Sequence, residues 1–146
     1  SSAGVRFKEN EFARMVLNGG NPFAVYETES FQDFLSTYVF ADAPYLPKPI
    51  AAAIVKQRAG KKDFEKTVFT QMRLGPEAFL LQDRLALITQ PAVLLWCDGD
   101  KIIDPSAAEV FAAGLPISVT VMLKGCGHMP MMEQPEMVSA ALLGAL

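Results

Sequence analysis

Two titratable side chains near the end of the chain, Asp100 and His128, each follow a short apolar run. These runs, residues 92–96 and 118–123, are both typical of buried strands. The helix-length apolar segment 106–113 lies between them, so the pattern predicts a strand–helix–strand crossover with parallel strands. Ligands of open α/β sheets bind outside the carboxyl ends of such strands, and we therefore expect Asp100 and His128 to meet there.

A carboxylate beside an imidazole is the pair that general-base catalysis requires. The imidazole must be held in one tautomer, and a buried carboxylate on its far nitrogen does this and stabilises the imidazolium that forms. Asp98 and Asp104 compete for the acid role, but Asp104 has a structural role as N-cap of the predicted helix and Asp98 comes earlier in the turn. Asp100 is therefore the preferred acid. The alternative is that Asp100 only forms a turn and His128 is an ordinary loop residue.

The sequence around these two residues resembles the α/β-hydrolase superfamily. WCDGDKIID is similar to its acid turn, W-G-x-x-D-x-x-x-P, and GCGHMPMMEQP is similar to its histidine loop, G-x-G-H-x-P-x-x-E-x-P. The acid turn departs from the pattern by having Cys97 for Gly and Asp for the final Pro, and neither change removes a catalytic group. The resemblance implies that Asp100 is the catalytic acid and His128 the catalytic base, in the chain order nucleophile, acid, histidine.

The resemblance also implies the fold class, an α/β fold that forms the C-terminal part of an α/β-hydrolase core with an incomplete parallel sheet. Residues 1–88 show no strand pattern and are predicted to form helical hairpins, which correspond to the superfamily's helical cap. Residues 89–146 then contain the last two core strands with the acid and the histidine. The order of an Asn-Pro-Phe turn, an aromatic helix and a Pro-rich connector is similar to bacterial lipases and monoacylglycerol lipase-like hydrolases. This similarity implies an apolar acyl ester as substrate.

Apolar spacing and glycine or proline boundaries predict further helices in the first 88 residues. They cover residues 11–17, residues 49–59, a segment marked by Phe64, Val68 and Met72, and residues 76–87.

An aromatic stripe follows Ser30, the predicted N-cap of its helix. Phe31, Phe34 and Tyr38 recur at helical spacing on one face of this helix. Packing against a neighbouring helix explains such a face, and the alternative is that part of it covers an apolar ligand. Phe31, Phe34 and Tyr38, with Met129 next to the candidate base, are therefore the candidate substrate-binding residues.

The composition argues against several classes of partner. With 13 basic and 16 acidic residues the net charge is −3, so there is no basic field to attract nucleic acid. One histidine and two scattered cysteines supply no set of metal ligands at the usual spacing. We therefore expect no metal, no cofactor and no nucleic acid.

The two cysteines, Cys97 and Cys126, are too few for a disulfide framework and do not form a CxxC pair. We expect both to behave as small buried hydrophobic residues, although neighbouring strands could bring them close, and an oxidising compartment stays open. The chain contains no apolar run of membrane-span length and no signal-like start. These features favour a soluble, cytoplasmic protein.

A nucleophile motif G-x-S-x-G is absent from these residues. Ser2-Ala3-Gly4 could be the end of such an elbow, but neither a helix nor another apolar strand follows it. The chain is therefore predicted to be the C-terminal part of a serine-type ester hydrolase that supplies the Asp100–His128 pair. Alone it should hydrolyse little. Its expected partner is the N-terminal half that carries the nucleophile, either missing or present as a separate chain.

Two apolar parallel strands alone would expose an edge and a face. The N-terminal half is the favoured cover for them. Self-association with a second copy and the chain's own helical segment are the other candidates. Two functional alternatives also stay open. One is a non-catalytic module that binds a lipid or a partner, and the other is a superfamily chemistry with an Asp nucleophile, such as haloalkane or epoxide hydrolysis.

Overall fold

A two-stranded parallel sheet is the centre of the computed structural model, which describes residues 1–74 and 78–144. Strand β1 (Ala92–Cys97) pairs with β2 (Ser118–Leu123), and helix α5 (Ser106–Gly114) connects them. The predicted strand–helix–strand unit is thus confirmed, and the carboxyl ends of both strands lie at the same edge of the sheet.

Helices make up the other regular elements of the described residues. In chain order they are α1 (Glu11–Leu17), α2 (Thr28–Phe34), a π-helix (Leu35–Val39), α3 (Lys48–Ala59), α4 (Lys62–Leu74), a 3₁₀-helix (Gln82–Leu87), α6 (Pro130–Glu133) and α7 (Pro135–Leu143). The helices predicted over residues 11–17 and 49–59 and around Phe64–Met72 are confirmed. No helix of the described ranges is long and apolar enough to cross a membrane.

The crossover helix α5 begins where the sequence predicts. Asp104 Oδ1 accepts a hydrogen bond from the backbone N–H of Ser106 at 3.0 Å, which satisfies a free donor of the first turn. The helix ends at Gly114, which lies so close to Leu85 that an added Cβ would be 2.6 Å from Leu85 Cδ1. The glycine at the end of the helix therefore permits close packing against Leu85.

The aromatic helix differs from its prediction at both ends. It begins at Thr28 and not after Ser30, because the extended Glu27 already offers its carbonyl to the N–H of Phe31 at 2.9 Å. The helical hydrogen bonding then widens, and the N–H of Phe40 bonds to the carbonyl of Leu35 at 3.0 Å. π-helices are rare overall, but many of those that occur lie at functional sites.

The helix predicted over residues 76–87 is confirmed in its last part only. Pro76 lies outside the described residues, and residues 82–87 form a 3₁₀-helix. The tighter winding buries Leu85, which is 1% exposed, against the β1–α5 unit and leaves Leu87 76% exposed. The 3₁₀-helix thus places one leucine in the core and the other in solvent.

The largest hydrophobic core lies between β1 and α5. Its buried members come from the sheet unit and from both ends of the first 88 residues: Val5, Leu85, Trp96, Ala107, Ala108, Phe111 and Leu115. Trp96 donates its indole N–H to the carbonyl of Ile103 at 3.1 Å, so its polar atom is satisfied inside the core. A division of the chain at residue 88 stays a prediction.

The strands are only partly buried along most of their length, as expected for two apolar parallel strands without a cover. In β1 the residues before Trp96 are only half-buried, and in β2 only Leu123 is buried. Val119 is 59% exposed. The reason is that two strands and the helices of the described residues leave part of the sheet uncovered, whereas parallel sheets are normally buried on both faces.

The two leucines of the 3₁₀-helix provide a matched test of the core. We expect Leu85→Ala to lower the free energy of unfolding by about 2–5 kcal/mol, because it leaves a cavity between β1 and α5. Leu87→Ala should change it by less than about 0.5 kcal/mol, because this side chain is exposed. Urea unfolding followed by tryptophan fluorescence measures both. Equal losses in the two variants would contradict this assignment of the core.

Candidate active site

The turn after β1 and the loop after β2 are hydrogen-bonded to each other. The N–H of Asp98 bonds to the carbonyl of Leu123 at 2.9 Å, which extends the ladder past the strand ends. Asp98 Oδ1 accepts from the N–H of Gly125 at 2.9 Å, and the N–H of Gly99 bonds to the carbonyl of Cys126 at 3.2 Å. These bonds hold the candidate acid turn and the candidate histidine loop side by side.

Asp100 and His128 meet at this junction. Nδ1 of His128 lies 3.0 Å from Oδ2 and 3.1 Å from Oδ1 of Asp100, which is hydrogen-bond distance. The Asp100 side chain is fully buried, while the His128 side chain is 26% exposed. The backbone N–H groups of Ile102 and Ile103 also donate to Asp100 Oδ1, at 2.9 and 3.0 Å. The expected geometry is therefore present, while the catalytic role of the pair stays a prediction.

The competing acids have other partners. Asp98 bonds to Gly125 and lies 3.5 Å from the Lys124 ammonium, and Asp104 bonds to the first turn of α5. Of these three carboxylates, only Asp100 is hydrogen-bonded to the imidazole.

The pKa of Asp100 is lowered below its ordinary value of 3.8. Burial acts to raise this pKa, but the hydrogen bond and positive charge of His128 and the N–H of Ile103 together outweigh burial. The carboxyl group is therefore ionised at neutral pH and can only accept hydrogen bonds. His128 must then donate from Nδ1, which leaves Nε2 as the nitrogen for proton transfer.

Ser1 lies beside the pair, but its hydroxyl group contacts Nδ1 of His128 and not Nε2, the nitrogen that a nucleophile needs. Its Oγ is 3.2 Å from Nδ1 of His128, the atom that already bonds to Asp100. In a Ser–His–Asp arrangement the nucleophile bonds to Nε2. Ser1 is therefore not placed as the nucleophile of this pair.

Cys97 and Cys126 form a disulfide, so the expectation of two free, buried cysteines is wrong. Cys97 is the last residue of β1, and its ladder partner is Leu123. A turn through Gly125, whose φ is +71°, brings Cys126 back over it, with 5.3 Å between the two Cα atoms. Both residues are buried, at 1% and 0% exposure. The signal in the sequence was a cysteine in each of two loops predicted to be neighbours.

Three of the four candidate substrate-binding residues come together. Phe34, Tyr38 and Met129 belong to one hydrophobic cluster with Phe12 and Phe23, called the aromatic cluster below. The rings of Phe34 and Tyr38 have centroids 6.1 Å apart, and that of Tyr38 lies 5.4 Å from Phe12. Because Met129 directly follows His128, the aromatic cluster extends to the candidate base.

Phe31 lies elsewhere. It is buried, at 8% exposure, and its ring centroid is 5.8 Å from the guanidinium carbon of Arg58. This position favours the packing explanation for Phe31 over contact with a ligand.

The chain has a parallel β-α-β unit with an acid–histidine pair at the carboxyl ends of its strands. This arrangement is typical of α/β folds, which bind their ligands at the carboxyl ends of the strands. The model of the alpha/beta hydrolase family matches residues 7–141 of this chain. The chain therefore belongs to the alpha/beta hydrolase family.

Curated relatives of the chain include lipases. It is 27% identical over 116 residues to lipase 1 of Psychrobacter immobilis, which covers 77% of this chain and 35% of that protein. It is 24% identical over 101 residues to a monoacylglycerol lipase of Mus musculus, which covers 69% of this chain and 30% of that protein. The chain thus spans about a third of the length of these relatives.

Solved structures support the same fold. A bacterial membrane phospholipase A described as a virulence factor superposes with a TM-score of 0.84 and 33% identity, covering 98% of this chain and 47% of that one. A lipase-like structure from Acinetobacter baumannii gives a TM-score of 0.81 at 21% identity, covering 99% of this chain and 50% of that one. The family relationship and the partial α/β-hydrolase fold are thus confirmed.

The lowered pKa of Asp100 predicts a pH dependence of stability. A carboxyl whose pKa is lower in the folded than in the unfolded state stabilises the fold above its unfolded pKa, and this contribution is lost as the pH falls through the folded value. We expect the difference in unfolding free energy between the wild type and Asp100→Asn to be largest near neutral pH and to shrink below about pH 4. Urea unfolding over this range measures it. A difference independent of pH would contradict the argument.

The disulfide predicts sensitivity to reductant. It joins residues separated by 29 positions, and closing a loop of this length stabilises a fold by about 3–4 kcal/mol in the chain-entropy model. We expect a reductant to lower the unfolding free energy of the wild type by up to this amount. The double variant Cys97→Ala, Cys126→Ala should be unstable to a similar degree and insensitive to reductant. Two titratable thiols in the unreduced, unfolded protein would refute the disulfide.

Proposed function

We propose that this chain supplies the acid and the base of a serine-type hydrolase that acts on carboxylic esters with apolar acyl groups. The observation that carries the proposal is the buried, ionised Asp100 hydrogen-bonded to Nδ1 of a partly exposed His128. This arrangement keeps Nε2 as the proton acceptor, which is the role of the histidine in an acyl-transfer triad.

The proposed chemistry begins with the nucleophile's hydroxyl group on the missing half of the enzyme. His128 Nε2 removes its proton as the oxygen attacks the ester carbonyl, and Asp100 stabilises the imidazolium that forms. His128 then gives the proton to the leaving alcohol, and an acyl-enzyme is left. A water molecule, deprotonated by the same nitrogen, then attacks the acyl carbon; the bond to the nucleophile breaks, the acid leaves, and the nucleophile's oxygen takes the proton back from His128.

The nucleophile and most oxyanion donors are proposed to lie on the N-terminal half of the hydrolase, as a separate chain or as part of a longer one. Two observations support this partner. The sheet is incompletely covered, with Val119 59% exposed, and the chain spans 47% of the phospholipase structure. A second copy of this chain is the alternative cover.

The proposed substrate class rests on the surroundings of the base. The aromatic cluster supplies apolar surface that extends to His128 through Met129. The names of the relatives, lipase 1 and monoacylglycerol lipase, are consistent with esters that have apolar acyl chains. Phe34, Tyr38 and Met129 are therefore proposed to contact the acyl group.

The compartment is proposed to be oxidising. Disulfides form and persist in secreted and periplasmic proteins and are rare in reducing cytosol. The buried Cys97–Cys126 bond thus speaks against the cytoplasmic expectation.

The test of the proposed function is the hydrolysis of a short-chain nitrophenyl ester by the enzyme that contains both halves. We expect His128→Ala to abolish almost all turnover, and Asp100→Asn to lower kcat by on the order of a thousandfold or more, because the imidazole loses its tautomer control. Asp104→Ala is the matched control, since it removes a nearby carboxylate that bonds to α5. It should cost about 1 kcal/mol of stability and leave kcat almost unchanged. Near-normal turnover by His128→Ala would refute the assignment.

A further inference from the structure

One carboxylate joins the histidine loop to a distant part of the chain. Glu133, at the end of α6, accepts a hydrogen bond from the N–H of Gly127 at its Oε1, at 2.6 Å. Its Oε2 accepts from the N–H of Ala41 at 2.8 Å, with the N–H of Asp42 farther away at 3.5 Å. These partners are main-chain amides, so Glu133 holds two backbone segments next to each other.

The backbone on either side of this bridge is in direct contact. The N–H of His128 donates to the carbonyl of Val39 at 2.7 Å. A Cβ on Gly127 would lie 2.6 Å from the oxygen of Val39 and 2.9 Å from the nitrogen of Ala41. A side chain at position 127 would therefore force the loop away, and the glycine permits the close approach that Glu133 holds.

The segment on the other side, residues 39–41, follows directly from the π-helix. That helix ends when the N–H of Phe40 bonds to the carbonyl of Leu35, and the backbone becomes extended at Phe40. The carbonyl of Val39 accepts from His128, in the adjoining loop, and not from a further turn of helix. Val39 and Phe40 also pack in the same hydrophobic cluster as Phe34, Tyr38 and Met129. Residues 39–41 therefore connect the aromatic cluster to the candidate base.

We propose that Glu133 is a positioning residue for His128, which fixes the imidazole through the backbone of residues 127–128 and couples its position to residues 39–41. The proposal rests on the proposed function, in which His128 is the base. Asp100 sets the orientation and tautomer of the ring, whereas Glu133 sets the location of the main chain that carries the ring. Charge-assisted hydrogen bonds to a carboxylate are about twice as strong as neutral ones, so two of them resist displacement of the loop.

The effect should appear in kcat, because Glu133 is proposed to act through the base and not on the ester. A displacement of the base by about 1 Å can cost on the order of a hundredfold in rate. We expect Glu133→Gln, which keeps one acceptor oxygen and places an NH₂ group against the other amide, to lower kcat by about tenfold. Glu133→Ala, which loses both bonds, should lower it by on the order of a hundredfold. KM should stay within about twofold in both variants.

The matched control is Glu136→Gln, which removes the same charge from an exposed position in the first turn of α7. It should leave kcat unchanged. Urea unfolding of each variant gives the folded fraction, and kcat is expressed per folded enzyme. A loss explained entirely by unfolding, or a kcat of Glu133→Gln within about twofold of the wild type, would overturn the proposal. Glu133→Gln keeps the test valid if Glu133→Ala does not fold.

A second measurement is independent of turnover, because the 146 residues contain one histidine. In the histidine-labelled protein, NMR should show the Nδ1–H proton of His128 protected from exchange in the wild type and in Glu136→Gln. In Glu133→Gln this proton should exchange faster and its resonance should move. If His128→Ala keeps its activity, the proposed function fails. The imidazole signals of the wild type and of Glu133→Gln still show whether Glu133 positions His128. An unchanged Nδ1–H signal in Glu133→Gln would overturn the role of Glu133.

Discussion

The parallel pairing of β1 and β2 is the constraint on which the candidate site depends. The two strands end side by side, and the ladder continues one step further through the bond from Asp98 to Leu123. Asp100 and His128 are 28 residues apart in sequence, yet this pairing delivers a carboxylate and an imidazole to one point. Because the strands are joined by α5, whose packing buries Trp96 and Phe111, the hydrophobic core and the site are parts of one unit.

A disulfide and two carboxylates are among the groups that hold the histidine loop. The Cys97–Cys126 disulfide ties the loop to the end of β1 just before the histidine, and Asp100 holds the ring itself. Glu133 holds the loop against residues 39–41. Fixing a loop residue in one conformation costs about 1–2 kcal/mol of backbone entropy, so such restraints are needed where a base must stay in place. The site is therefore more constrained than its location on a loop would suggest.

Local signals in the sequence were enough for the strand–helix–strand unit and for the meeting of Asp100 with His128. Apolar runs, a helix cap and two turns specify these features over short distances. The π-helix and the 3₁₀-helix were not predicted, because apolar spacing indicates a helix without distinguishing its type, and the disulfide depends on the exact approach of two residues 29 positions apart. Glu133 was visible only as a letter of the histidine motif. Its role follows from a contact with Ala41, more than 90 positions away.

The two residues of the candidate pair differ in their exposure to solvent. Asp100 is completely enclosed, whereas His128 keeps 26% of its side chain accessible after its Nδ1 has bonded to the carboxylate. A reacting group can therefore approach the imidazole but not the acid, as the proposed role of His128 as a base requires. The sheet is incompletely covered, since β2 has one buried residue in six and parallel sheets are normally covered on both faces. The proposed N-terminal half would add parallel strands to this sheet, and parallel strands direct their carboxyl ends to the same side. The proposed N-terminal half would then both cover the exposed sheet and bring a nucleophile to the candidate base.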